Sequence, residues 1–190
     1  MTRVLKNRLF IVLLTTVVIV SILAVFWIIN RDTTVGPGIA MVEWAEWYDD
    51  FEEITATADL VVVGNIDRVV AEMSEGGTPG TEFSFDVDSV LKGEQVTQIV
   101  ICQLGAAGEL EAYDDPLFSS GERYILFLRE GEPGKYYVLG GPQGRFMIVG
   151  NLVFSMDNVL LDRVYVGALE VNGLPKEAFI DSISEIVAGS

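Results

Sequence analysis

The pattern of hydrophobic and polar residues changes along the chain. Near the N-terminus it is a continuous apolar run. Residues 9–29 are apolar except for Thr15, Thr16 and Ser21. As a helix this run is about 31 Å long, which matches the apolar core of a bilayer. The pattern therefore predicts one transmembrane helix from Leu9 to Ile29.

The flanks of this run predict its direction. Arg3, Lys6 and Arg8 precede it and no acidic residue does, so the N-terminus is expected in the cytoplasm. A cleaved signal peptide is the alternative, but its apolar region is usually only about 7–15 residues and ends near the cleavage site. We therefore predict a cytoplasmic tail (1–8), an uncleaved signal-anchor (9–29), a linker (30–40) and an extracytoplasmic domain (41–190) in a single-pass cell-membrane protein.

A helical pattern follows the linker. Trp44, Trp47, Tyr48, Phe51 and Ile54 recur at spacings of three and four, with acidic residues between them. This periodicity predicts an amphipathic helix with an aromatic face. We expect that face to pack on the domain core. The alternative is a partner-binding face formed by Trp44, Trp47, Tyr48 and Phe51.

From residue 60 the pattern changes to short strands separated by turns. Strands are predicted at 60–63, 83–87, 99–102, 123–129, 136–139, 146–149 and 152–154, with a hairpin turn at Gly150-Asn151. Residues 74–80 are expected to form a turn or mobile hairpin loop, and 105–120 a long loop. A helix opens at Pro175, and Phe179, Ile183 and Ile186 share one of its faces. This order predicts a mainly β domain, an OB-like barrel or a sandwich with flanking amphipathic helices.

Composition and charge exclude several functions. The chain has 28 acidic and 12 basic residues and a net charge of −16, which disfavours nucleic acid as a partner. It has no histidine and one cysteine, so histidine triads, histidine metal sites, intrachain disulfides and thiolate zinc sites are excluded. Cys102 lies in an apolar run and is expected to be a buried thiol with a raised pKa.

Acidic pairs are the only candidates for a metal site. The candidates are Asp86, Asp88, Asp114 and Asp115, whose carboxylates suit calcium. None matches the twelve-residue calcium loop, so no cofactor is predicted and calcium is the one alternative. The glycine-rich stretch 140–145 lacks the ending of a phosphate loop, and it predicts a sharp turn with Arg145 on the surface or over an acid.

Four stretches carry a family resemblance: Ala58–Gly64, Val90–Glu94, Gly121–Leu128 and Gly140–Phe146. They resemble uncharacterised membrane-anchored extracytoplasmic proteins of bacteria and archaea. Their order is similar to the OB-type barrel of the netrin and tissue-inhibitor-of-metalloproteinases modules. The resemblance implies the fold. It does not imply protease inhibition, because the inhibitors' zinc-chelating N-terminal cysteine has no counterpart here.

These observations favour a membrane-tethered binding or interaction module without catalytic activity. Its expected partners are the lipid bilayer, through the N-terminal helix, and another envelope protein. The alternatives are a carboxylate-based hydrolase and a calcium-dependent ligand-binding domain at the cell surface.

Overall fold

A computed structural model describes residues 38–40, 46–75, 77–156 and 171–189. All of them lie in one compact unit, Gly36–Ser190. The predicted anchor, Leu9 to Ile29, and Trp44 lie outside the described residues. Within the described ranges, no helix combines the length and the apolar character needed to cross a membrane.

The described part of the domain is mainly β, as predicted. Its strands are β1 (Gly38–Ala40), β2 (Leu60–Glu75), β3 (Thr78–Lys92), β4 (Gln98–Leu104), β5 (Leu110–Ala112), β6 (Arg123–Glu130), β7 (Lys135–Val138), β8 (Arg145–Val149), β9 (Leu152–Ser155) and β10 (Leu174–Pro175). Its helices are α1 (Phe51–Thr57), α2 (Lys176–Gly189) and a 3-10 turn (Gly141–Gly144).

Eight strands form one sheet in the order β10-β9-β8-β6-β2-β3-β4-β7, and β7 also pairs with β6. Five strands are thus linked in a cycle of pairings, β6-β2-β3-β4-β7-β6, which we call the strand ring. Within it only β4 and β7 run parallel. The strand β1 pairs in parallel with β5 in a separate small sheet.

The central strands are buried on both faces at Leu60–Val63 of β2 and Tyr124–Leu128 of β6, which explains the continuous apolar sequences there. Along β2, Val61 and Val63 belong to one core cluster, whereas Leu60 and Val62 belong to the other. Side chains of a strand alternate between faces, so the sheet separates two layers of core. We call them the outer layer, on the helix side, and the inner layer, within the strand ring.

The outer layer is formed where α1 and α2 cover the sheet. Phe51 of α1 and Phe179 of α2 have ring centroids 5.4 Å apart. Phe146 of β8 lies 5.6 Å from Phe51 and 5.0 Å from Phe179. Phe127 of β6 completes the aromatic cluster, 5.6 Å from Phe146. The predicted face of the C-terminal helix is confirmed at Phe179 and Ile183, which are buried in this layer, whereas Ile186 is only partly buried.

The predicted helix over residues 44–54 is wrong at its N-terminal end. Residues 46–50 are not helical, and α1 begins at Phe51. The carboxylate of Asp50 accepts a bond from the Glu53 amide at 2.8 Å and so caps the first turn. The side-chain amide of Gln143 bonds both the amide and the carbonyl of Tyr48, at 3.0 and 2.9 Å. These bonds hold residue 48 outside the helix.

The hairpin turn predicted within residues 74–80 is present, but it is shorter than predicted. β2 continues to Glu75 and β3 begins at Thr78, with Ser74 paired to Pro79 and Met73 to Gly80. Gly77 has φ +87° at the turn, a conformation that favours glycine. Tight pairing therefore extends the hairpin beyond the point at which its polar and glycine-rich sequence predicts a loop.

Candidate ligand-binding cleft

The closing strand of the ring is short, and a cleft opens where its pairing stops. β7 pairs with β4 only through Val100–Cys102, so Gln103 and Leu104 of β4 extend past the last pair. A cleft of about 360 Å³ lies at this point. It is lined by Met73, Thr78, Pro79, Gly80, Cys102, Gln103, Leu104, Asp115, Tyr137, Val138 and Gly141.

The walls of the cleft are mostly apolar. Met73 and Pro79 come from the two strands of the β2–β3 hairpin, and Leu104 comes from the end of β4. Tyr137 and Val138 come from β7. Ligand sites in proteins have volumes of about 300–1,000 Å³, with apolar walls and a few fixed polar groups. The cleft has this composition, because Gln103 and Asp115 are its buried polar residues.

A buried hydrogen-bond network holds these two polar groups. Nε2 of Gln103 donates to the Asp115 carboxylate at 2.9 Å, and Oε1 of Gln103 accepts from the Phe118 amide at 3.0 Å. The guanidinium of Arg145 donates to Asp115 at 3.0 Å and to the Tyr124 hydroxyl at 2.9 Å. Each side-chain nitrogen and oxygen atom of Gln103 and Asp115 therefore makes a hydrogen bond within the protein. These bonds hold the two side chains in one orientation at this side of the cleft.

Arg145 is almost completely buried, with 1 % of its surface exposed. Its guanidinium carbon lies 3.9 Å from the centroid of Phe118 and 4.8 Å from that of Tyr124, so two aromatic faces also stabilise the charge. Of the two predicted positions for Arg145, the structure has the one over an acid. Burial raises the pKa of the Asp115 carboxyl, and the charge of Arg145 opposes that rise.

A second ion pair lies beside the cleft. The ammonium of Lys135 donates to Glu82 at 2.7 Å, and Glu132 lies 3.3 Å away. These two carboxylates raise the pKa of Lys135. Cys102 is buried, and burial raises the pKa of its thiol as predicted from the apolar run. A protonated thiol is a weak nucleophile, so Cys102 serves here as apolar lining.

A smaller depression of about 170 Å³ adjoins the cleft and shares Tyr137, Val138 and Gly141 with it. Glu46 and Arg129 form an ion pair on its other side. The hydroxyl of Tyr48 donates to Glu46 at 2.5 Å. This bond, followed by the one from Arg129, lowers the pKa of Glu46. Burial, together with Glu46, raises the pKa of Tyr48 to about 12.

The four candidate metal ligands do not form one cluster. Asp86 accepts a bond from Gln98 at 2.8 Å, and Asp88 pairs with Arg123. Asp115 belongs to the Arg145 network, next to Asp114 in sequence. Gln98 and Gln103 are five residues apart on β4, or about 16 Å, which separates the two acidic pairs. Within the described ranges, no group of three or more acidic or cysteine side chains is arranged to hold a metal ion.

The candidate partner face is divided by the fold. Tyr48 is buried, and Phe51 packs on Phe127, Phe146 and Phe179. Both therefore serve the domain core, the first of the two predicted roles. Trp47 is 41 % exposed. Because residues 46–50 are not helical, Trp47 does not share a helical stripe with Phe51.

The sequence did not identify the cleft, because its lining comes from six separate segments. Gln103 had one local signal: a polar residue at the end of the apolar run 99–102. Nothing near Met73, Leu104 or Val138 distinguishes them from ordinary strand residues. Comparison with known proteins does not identify a family, since neither the protein-family models nor the curated proteins match this chain.

Proposed function

We propose that the chain is a membrane-tethered extracytoplasmic binding domain whose ligand site is the cleft beside β7. The observation that carries this proposal is the cleft itself, about 360 Å³ with apolar walls and a buried polar network at Gln103 and Asp115. The tether is the apolar run from Leu9 to Ile29, preceded by basic residues. The domain then lies outside the cell membrane.

The pairings support an OB-like barrel as the fold of this domain. OB-type barrels have five strands in a partly open Greek-key arrangement. The strand ring also has five members, and its closing strand β7 makes only three residue pairs with β4 and three with β6. In OB barrels ligands bind on the second and third strands and their adjoining loops. Here those strands are β3 and β4, which contribute Gly80 and Leu104 to the cleft.

Binding fits the described side chains better than catalysis does. The acids nearest the cleft are each held by a base: Asp115 by Arg145 and Glu82 by Lys135. A hydrolytic pair needs one carboxyl group to donate a proton and another to accept one, both directed at a substrate. The chain also has no histidine to activate the Cys102 thiol. We therefore propose a non-catalytic role.

Charge narrows the class of ligand. The chain has a net charge of −16, and all its acidic residues follow residue 31. Such a domain repels anions and attracts cations over several ångströms. The ligand we propose has an uncharged apolar group that enters the cleft, with a neutral or cationic remainder.

Two fluorescent probes with the same aromatic body test this directly. N-phenyl-1-naphthylamine is neutral, and 1-anilinonaphthalene-8-sulfonate carries a sulfonate. Both would be titrated into residues 36–190, the range of the compact unit. We expect saturable binding of the neutral probe and binding about tenfold weaker for the anion. Failure of the neutral probe to saturate would contradict the proposed site.

Two substitutions in the cleft provide opposite controls. A Cβ on Gly80 would lie 3.4 Å from Met73 Cγ and 3.4 Å from the Gln103 carbonyl oxygen, so Gly80→Val narrows the cleft without a severe clash. Leu104→Ala widens it. We expect the first to weaken the binding of the neutral probe about tenfold or more, and the second to preserve it. Equal affinities in the two variants would place the probe elsewhere.

The tether needs a separate test, because a soluble fragment says nothing about it. Val149 is 55 % exposed on the β8–β9 hairpin. A Val149→Cys, Cys102→Ser variant of the full chain should react with a membrane-impermeant maleimide on intact cells. A Thr2→Cys, Cys102→Ser variant should react only after lysis. The reverse result would contradict the proposed orientation.

A further inference from the structure

The distal half of β2 is an exposed strand edge. β2 pairs with β6 only from Leu60 to Asn65. The amide of Gly121 bonds the Ile66 carbonyl at 2.7 Å, and the hydroxyl of Ser120 bonds the Asp67 carbonyl. From Arg68 onward, β2 pairs with β3 on one side, and no strand among the described residues pairs with its other side. We call residues 68–72 the β2 edge.

Two adjacent valines make this edge apolar. Val69 is 53 % exposed and Val70 is 50 % exposed. The pairing with β3 shifts between Val69 and Ala71, so a bulge at Val70 interrupts the alternation of side chains. Both valines consequently reach solvent, on a strand whose backbone is open for pairing. Such an edge is a template for another strand.

The charges at the ends of this apolar segment are complementary under two-fold symmetry. Arg68 precedes the valines and pairs with the adjacent Asp67, and its side chain remains 68 % exposed. Glu72 follows them and is also exposed. If two copies pair antiparallel about Val70, Arg68 of each copy lies directly opposite Glu72 of the other. Opposite charges in facing positions stabilise a strand pair.

We propose that the β2 edge is a self-association surface, at which two copies of this chain pair through antiparallel β2 strands. The partner is a second copy because the sequence Arg-Val-Val-Ala-Glu is complementary to itself in that orientation. An anionic partner of another kind would meet Glu72, and a cationic one would meet Arg68. The proposal is independent of what enters the cleft.

Disulfide trapping in the native membrane tests the pairing on the full chain. Val70→Cys is made in a Cys102→Ser background, which removes the one native cysteine. Residues facing each other across antiparallel strands are at a distance that a disulfide spans. On mild oxidation we expect at least about fivefold more linked dimer from this variant than from the control. The control is Val149→Cys in the same background, an equally exposed valine on another hairpin.

Charge reversal tests whether the pairing has the proposed partners. Arg68→Glu alone and Glu72→Arg alone place like charges together, and each should lower the trapped dimer about fivefold or more. The double variant restores opposite charges in both copies and should recover the dimer. Circular dichroism of each variant checks that the exposed substitutions leave the fold intact.

Three results would overturn the proposal. One is equal trapping at positions 70 and 149, which would reflect random collision in the membrane. Another is a double variant that traps no better than the single ones. The last is a cross-link from position 70 to a different protein in place of a second copy, since the surface would then serve another partner. Bulges and charges also protect edges in monomeric proteins, and equal trapping is the result a monomer would give.

Discussion

The two core layers on either side of β2 and β6 differ in chemistry. The outer layer joins four phenylalanines and aliphatic residues under α1 and α2. The inner layer has its own aromatic pairs, such as Phe83 with Phe118, and at one end it buries the charged Arg145 and Asp115. Among the residues that the structure describes, the outer layer buries no charged side chain, so it needs no buried ion pair to hold it together. A layer that must satisfy buried charges needs groups held at fixed positions, and those groups lie beside the cleft.

The two layers have different structural roles. The outer layer attaches the helices to the sheet, and the inner layer shapes one end of the strand ring. Substitutions in the outer layer should therefore act on stability alone. Substitutions at the polar end of the inner layer should act on both stability and the cleft.

The largest loss in the free energy of unfolding is expected from a substitution in the outer layer. Phe127 is fully buried between Phe51 and Phe146. Phe127→Ala removes its ring and leaves a cavity, and we expect it to lower the free energy of unfolding by about 4 kcal/mol. Urea unfolding measures this loss. Tyr113→Ala, at a residue 43 % exposed, is the control and should change the free energy by less than about 0.5 kcal/mol. Equal losses would mean that the outer layer is loosely packed.

A somewhat smaller loss is expected when the buried ion pair is broken. Arg145→Met keeps most of the side-chain volume but leaves Asp115 without its cation, which should cost about 3 kcal/mol. Adding Asp115→Asn removes the isolated charge and preserves an acceptor for Gln103. The double variant should recover at least about 1 kcal/mol of that loss. If the single variant is as stable as the parent, the ion pair does not organise the inner layer.

A loss of stability of intermediate size is expected when the pH is raised into the alkaline range. The pKa of Tyr124, in the inner layer, and that of Tyr48, in the outer layer, are both raised from the ordinary 10 to about 12. Burial of the hydroxyl is the largest cause for each. A pKa raised on folding means that the protonated form is favoured in the native state. The resulting stability is complete below pH 10 and is lost as the pH rises from 10 to 12.

Phenolate absorbance at 295 nm, followed with the melting temperature, measures this effect. Tyr124→Phe should remove one late-titrating group and flatten the fall in melting temperature above pH 10. Tyrosines that all titrate together near pH 10, in a protein still folded, would contradict the packing of both layers around these hydroxyls.

The smallest effect is expected on the exposed surface. Asp88 pairs with Arg123, and both side chains are more than 40 % exposed. Asp88→Asn should lower the free energy of unfolding by less than about 1 kcal/mol. Calcium should leave the melting temperature of the parent and of this variant unchanged. A calcium-dependent rise in the parent that is lost in the variant would restore the acidic pairs as a metal site.

The sequence predicted the buried strand at 60–63, the strand at 123–129 and the shared face of Phe179 and Ile183 in α2, because those depend on local periodicity. It misplaced the start of α1, since the cap at Asp50 and the bonds from Gln143 to Tyr48 override the aromatic spacing. Gln143 lies 95 residues from Tyr48 in sequence, and no local pattern contains that contact. The cleft was missed for the same reason, as its walls meet only through long-range strand pairing.

The central claim, that the cleft beside β7 holds an apolar ligand, is tested most directly at Cys102. This residue lines the cleft and is the one cysteine of the chain. The rate of its reaction with a thiol reagent would be measured in residues 36–190, without and with saturating N-phenyl-1-naphthylamine. A Val149→Cys, Cys102→Ser variant controls for general effects of the probe. We predict that the probe slows the reaction of Cys102 about tenfold and leaves the control unchanged. An unchanged rate at Cys102 with the probe bound would contradict the account.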